Sequence, residues 1–175
     1  MLDNELLEAY PDPLVGLFGD KNYPYLGKGK GIENRREYLG KLTMLLKELE
    51  PKTVYLIPET GLCQSALVVL QGLKIPYVVV NPYKGYFDNV TASSKLRLLL
   101  GLENSKAVVV VGDAPKDIKG NQKAVEDAQD FIIERAEVVI SVYGDDPDEN
   151  TKIINQKLHI ADTNVIFVDC AKPQI

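Results

Sequence analysis

Short apolar, β-branched runs alternate along this chain with stretches whose apolar residues recur every three or four positions. The first pattern marks strands and the second marks amphipathic helices. Strands are expected at residues 14–18, 53–57, 75–80, 107–111, 138–143 and 165–168. Helices are expected at residues 33–49, 60–71, 94–102, 121–135 and 151–161. In the first helix Leu39, Leu42, Leu46 and Leu49 share one face, and Pro51 stops it. In the second, Leu62, Ala66, Leu67 and Leu70 face inward, with Thr60 as its cap and Gly72 near its end. In the fourth, Val125, Ala128, Phe131 and Ile132 form the stripe. Asn81, Pro82 and Tyr83 are expected to terminate the third strand.

Strands apolar on both faces, alternating with helices, predict a parallel sheet covered on both sides. With right-handed crossovers this is a doubly wound α/β domain, Rossmann-like, with a mostly parallel sheet of about six strands and helices on both faces. The competing reading is an α+β domain with a mixed sheet. Residues 1–12 read as a loosely attached lead segment and residues 13–175 as a single domain.

Composition narrows the chemistry more than the fold. The chain has 175 residues, which suits one domain able to bury a core without disulfide or metal staples. It has one His, two Cys and no Trp, so a multi-His or Cys-rich metal site cannot be built. Cys63 and Cys170 do not make a disulfide framework, and a reducing compartment is expected. The acidic start and the absence of a long apolar run predict neither a secretory signal nor a membrane span. A cytoplasmic location and no membrane partner follow as expectations. Twenty basic against 25 acidic residues give a net charge of −5, which disfavours nucleic acid over the whole surface. The charge is uneven. Residues 21–47 carry seven basic and two acidic residues, and residues 134–149 carry six acidic residues and one Arg.

In open parallel sheets, ligands bind beyond the carboxyl ends of the strands, so the candidates follow strands. Gly19, Asp20 and Lys21 open a Gly- and Lys-rich loop suited to facing phosphate, although no Walker A pattern is present. Pro58, Glu59, Thr60, Gly61 and Leu62 join a strand directly to a helix, whose first-turn amides would receive a phosphate or ribose oxygen. Glu59 there would bind ribose hydroxyls, act as a general acid or base, or simply help cap the helix. Pro82 and Tyr83 begin an aromatic stretch through Tyr86 and Phe87 that would stack on a base or merely pack. Asn121 lies near a helix start, where it caps the helix or reaches a ligand. The acidic loop with Asp145 would hold Mg²⁺ through oxygens, or would be a solvated turn with Asn150 or Thr151 capping the next helix. His159 reads as mid-helix, structural or exposed. Cys63, near a helix N-terminus, reads as packing, with a nucleophile as the less favoured alternative.

Taken in order, these segments resemble the SLOG superfamily of Rossmann-like nucleotide-binding proteins, and most of all its YpsA-like branch, related to the DprA-like and LOG families. The likeness rests on four stretches over about residues 14–170. They are Val15, Gly16, Leu17, Phe18, Gly19, Asp20 and Lys21; residues 54–62 with Pro58, Glu59, Thr60 and Gly61; Val78, Val79 and Val80 leading to Asn81, Pro82 and Tyr83; and Asn121 with residues 131–143. The LOG-type PGGxGTxxE signature is absent. Asp148, Glu149, Asn150 and Thr151 stand where a Gly-rich turn would often precede the last helix.

The resemblance implies a nucleotide or nucleotide-derived ligand, bound at the carboxyl edge of the sheet by a sensor or regulatory module. Gly19 and Lys21 would meet phosphate, Gly61 and its neighbours phosphate or ribose, and Pro82 with Tyr83 the base. The alternative is an N-glycosidic hydrolase or deoxyribosyltransferase-like enzyme using Glu59, with Asp145 second. A third reading, association with single-stranded DNA, rests on residues 21–47 alone. A homo-oligomer is compatible with all three.

Overall fold

The structure is a computed structural model and describes residues 2–20, 31–59, 61–88, 90–144 and 147–169. Its elements are α1 (Asn4–Ala9), β1 (Leu14–Gly19), α2 (Gly31–Leu49), β2 (Thr53–Leu56), α3 (Leu62–Gly72), β3 (Tyr77–Tyr83), α4 (Ala92–Glu103), β4 (Ala107–Gly112), α5 (Ile118–Arg135), β5 (Val138–Tyr143), α6 (Glu149–Ile160) and β6 (Asn164–Asp169). The six strands form one sheet in the order β4-β3-β2-β1-β5-β6. Every adjacent pair is parallel. This is the doubly wound α/β architecture that the alternation predicts, and the mixed-sheet reading falls away.

Each face of the sheet has its own core. On one side Leu42, Leu46 and Leu49 of α2 and Ala66, Leu67 and Leu70 of α3 pack on Val15, Leu17, Val54, Leu56, Val79 and Ile140. On the other, Ala128 and Ile132 of α5 and Ile154 and Leu158 of α6 pack on Phe18, Ile57, Val80 and Val139. β1, in the middle, is approached closely from both sides through glycine. A Cβ on Gly16 would stand 2.8 Å from Cγ2 of Ile132, and one on Gly19 would stand 2.3 Å from Cδ2 of Leu62.

Three sequence expectations change. The lead segment contains α1, capped by Asp3, which accepts from the Glu5 amide. Leu2, Leu6, Leu7 and Tyr10 rest against the first core, and the Leu2 amide donates to Glu48 at 3.0 Å. β3 starts at Tyr77 rather than Ile75 and runs through Asn81 and Pro82 to Tyr83. Pro82 lacks an N–H, yet it is tolerated because β2 ends at Leu56, opposite Val79, and leaves β3 an edge on that side. His159 lies in the last turn of α6 and stacks on Phe167, with ring centroids 4.6 Å apart.

Among the described residues no helix is long and apolar enough to cross a membrane.

Candidate functional site

The chain proceeds outward from β1 to β4 on one side, then returns across the sheet to place β5 against the other side of β1. The carboxyl ends of β1 and β5 are therefore the switch point, where crossovers diverge and leave a crevice. A cleft lies there. Its lining includes Phe18 and Gly19 of β1, Ile57 and Glu59 after β2, Cys63 of α3, Gln129 of α5, and Asp148, Asn150 and Thr151 at the start of α6. The enclosed part is about 30 Å³, room for a water or one hydroxyl-sized group.

The strand-to-helix turn that feeds this cleft is built for packing as much as for binding. Gly61 precedes α3 at φ 119°, a conformation that favours glycine, and no side chain caps the helix. The protein's own carbonyls take several first-turn amides instead. The Leu62 amide donates to the Asp20 carbonyl at 3.3 Å, Gln64 to Glu59 at 3.2 Å and Ser65 to Gly61 at 3.2 Å. Leu62 itself is only 1% exposed, and its side chain occupies the space that a Cβ on Gly19 would need. Gly19 is thus explained by the close approach of α3 to β1. Asp20 is buried, and its amide donates to the Val142 carbonyl at 3.1 Å, extending the β1–β5 pairing.

Glu59 is half-buried and accepts a hydrogen bond from the Tyr86 hydroxyl. Burial, and after it the neighbouring carboxylate, push the Tyr86 pKa up, so the phenol stays a donor at neutral pH. Tyr86 also meets Tyr83 edge-on at 5.3 Å and Phe87 at 5.0 Å. The Tyr83 hydroxyl donates to Asn121 Oδ1 at 2.5 Å. This chain of contacts runs from the end of β2 to α5 and leads away from the cleft. Tyr83 and Asn121 line a separate groove of about 360 Å³ with Pro115, Lys116, Asp117 and Ile118, beyond the end of β4. Pro82 is buried. The residues expected to meet base and phosphate therefore divide between two places, bridged by the Tyr86–Glu59 hydrogen bond.

Capping is assigned differently from the expectation. Asp117, not Asn121, caps α5, accepting from the Gly120 amide at 2.7 Å. Asn121 lies four residues past the cap, inside the first turn, and accepts from Tyr83 instead. Asp148, not Asn150 or Thr151, caps α6. It accepts from the Thr151 amide at 2.9 Å and from the Thr151 hydroxyl at 3.1 Å. Thr151 is thus in the cleft wall with its hydroxyl already engaged. Lys21, Thr60 and Asp145 lie outside the described residues. Among the described residues no cluster of acidic, His or Cys side chains suits a metal, and the Asp148 carboxylate is occupied with capping; the acidic loop expected to hold Mg²⁺ includes Asp145, outside those residues.

Two further side chains, Cys63 and Gln129, complete the cleft wall. Burial and then the Glu59 charge hold the Cys63 thiol well above its ordinary pKa, which disfavours the thiolate, and its Sγ donates to the Leu17 carbonyl at 3.7 Å. Gln129 is 4% exposed, and its Oε1 has no hydrogen-bond partner. A buried, unpaired acceptor costs about 1–3 kcal/mol, and this one lies in the cleft wall. Its signal was in the sequence: a Gln at the i+4 position from Val125 and one residue after Ala128 interrupts an apolar stripe.

The described cleft wall has acceptors in Glu59, Asp148 and Gln129 and no cationic side chain. Such acceptors suit hydroxyl or amino donors. No protein-family model matches the chain, and no curated protein matches it.

Proposed function

We propose that this chain binds a nucleotide or nucleotide-derived small molecule at the carboxyl edge of its sheet and serves as a sensor or regulatory module. The observation that carries this reading is Gln129, with its buried, unpaired Oε1, in the wall of a cleft at the β1/β5 switch point. The likeness of the sequence to the SLOG superfamily supports the ligand class. A ligand would turn a sugar hydroxyl or amino group into the acceptor-lined cleft.

A thermal-shift panel of nucleoside mono-, di- and triphosphates, dinucleotides and cyclic nucleotides tests this. A ligand at 100 times its Kd adds about 2.7 kcal/mol of stability. A flat panel overturns the proposal. Gln129→Leu sharpens it: the fold gains about 1 kcal/mol as the orphan polar atom is removed, while affinity for the active ligand falls about tenfold.

One observation favours a second reading, cleavage of a nucleotide N-glycosidic bond: Glu59 lines the cleft and is held there by a phenol donor. A fixed carboxylate can stabilise or attack a ribosyl cation. Glu59→Gln would abolish turnover, and undiminished turnover in that variant removes Glu59 from any mechanism.

A further inference from the structure

A group of exposed apolar side chains lies away from the cleft, at the β4 edge of the sheet. Among the described residues β4 has a strand neighbour only in β3, so the backbone groups on its other side meet no described strand. Edge strands are usually guarded by charge, proline or a bulge. The β4 sequence, Ala107, Val108, Val109, Val110, Val111 and Gly112, carries neither charge nor proline.

One face of β4 is also uncovered. Val109 stands beside Val80, and Val111 packs with the core beneath α5. Val108 stands beside Val79 and therefore points to the opposite face. There Val108 and Val110 are 47% and 52% exposed. α4 lies on that side but leans toward α3: a Cβ on Gly101 would stand 2.5 Å from Leu67. Its Leu96, Leu99 and Leu100 are left in solvent. A valine strand and a leucine-bearing helix thus flank the same open edge.

We propose that this edge is a homodimer interface, in which β4 of a second copy pairs antiparallel with β4 across a two-fold axis and continues the sheet. Charge selects this occupant and this direction. Lys106 precedes the strand and Asp113 follows it, both exposed. Antiparallel pairing sets the Lys106 end of each copy against the Asp113 end of the other, twice over, whereas parallel pairing would put like charge beside like. A strand paired with itself is self-complementary, as an isologous contact requires, and the α4 leucines would close over the exposed valines from both sides.

Sedimentation equilibrium on the intact chain tests the pairing. The expected species at about 100 μM has twice the 19.4 kDa chain mass. Val108→Lys with Val110→Lys is expected to give a monomer with unchanged far-UV circular dichroism. Lys106→Asp, at an exposed position that should not disturb folding, is expected to weaken the dimer at least about fivefold, close to 1 kcal/mol. Adding Asp113→Lys to it should restore the dimer to within about twofold. A wild-type monomer throughout this range overturns the proposal. So does a dimer indifferent to the lysine pair, or a charge swap that fails to restore association.

Discussion

At residue scale, several side chains singled out for a ligand have a packing or hydrogen-bonding role within the protein itself. Gly19 looked like a residue that lets phosphate approach, but Leu62 fills the space above it. Gly19→Ala should therefore destabilise by about 1–3 kcal/mol through overpacking, read as a lowered urea midpoint, with or without ligand. A glycine kept only for a ligand would leave the free protein unaffected. Tyr86 was read as part of an aromatic wall and proves to be the donor to Glu59. Its pKa is raised above the ordinary value of 10.0, so the folded state retains a proton that the unfolded chain loses. That contribution is complete below about pH 10 and declines as pH rises beyond it, by about 1.4 kcal/mol per pH unit. Stability measured from pH 9 to 11, as a difference from Tyr86→Phe, should show this decline, and equal slopes would refute it. Gln129 left a signal in the sequence, a polar residue interrupting an apolar stripe, but its burial without a partner shows only in the fold.

At element scale, the alternation of apolar runs and helical periods located every strand and the five longer helices. These patterns are legible because a strand buried on both faces has little freedom to be polar. The boundaries failed where tertiary context decides. Nothing local says that β3 can continue through Pro82; the early end of β2 permits it. Caps were misassigned for a similar reason, since several acceptors sit within a residue or two of each helix start. Asp148 holds both the amide and the hydroxyl of Thr151. Asp148→Ala should cost about 0.5–2 kcal/mol, with hydrogen-exchange protection lost first in the opening turn of α6. Uniform loss across the sheet would instead mean that Asp148 supports the whole core.

At the scale of the whole molecule, the sequence implied the doubly wound fold but not the order of its strands. That order decides which candidates meet. Gly19, Glu59 and Thr151 come together because β1 lies next to both β2 and β5, while Tyr83 and Asn121 fall toward the β4 end. Of the acidic stretch at residues 134–149, Asp148 is the member that the described cleft wall contains. A chain ending at residue 137 would lack the strand that covers one flank of β1, and it should show no cooperative thermal transition by circular dichroism. The pairing of Leu17 with Ile140 also sets a schedule for the newborn protein. At ~5–20 residues per second, roughly 6–25 s separate the synthesis of these two strands. Throughout that interval the valine and leucine of β1 have one side open, and a nascent chain in that condition is a natural client for a ribosome-associated chaperone.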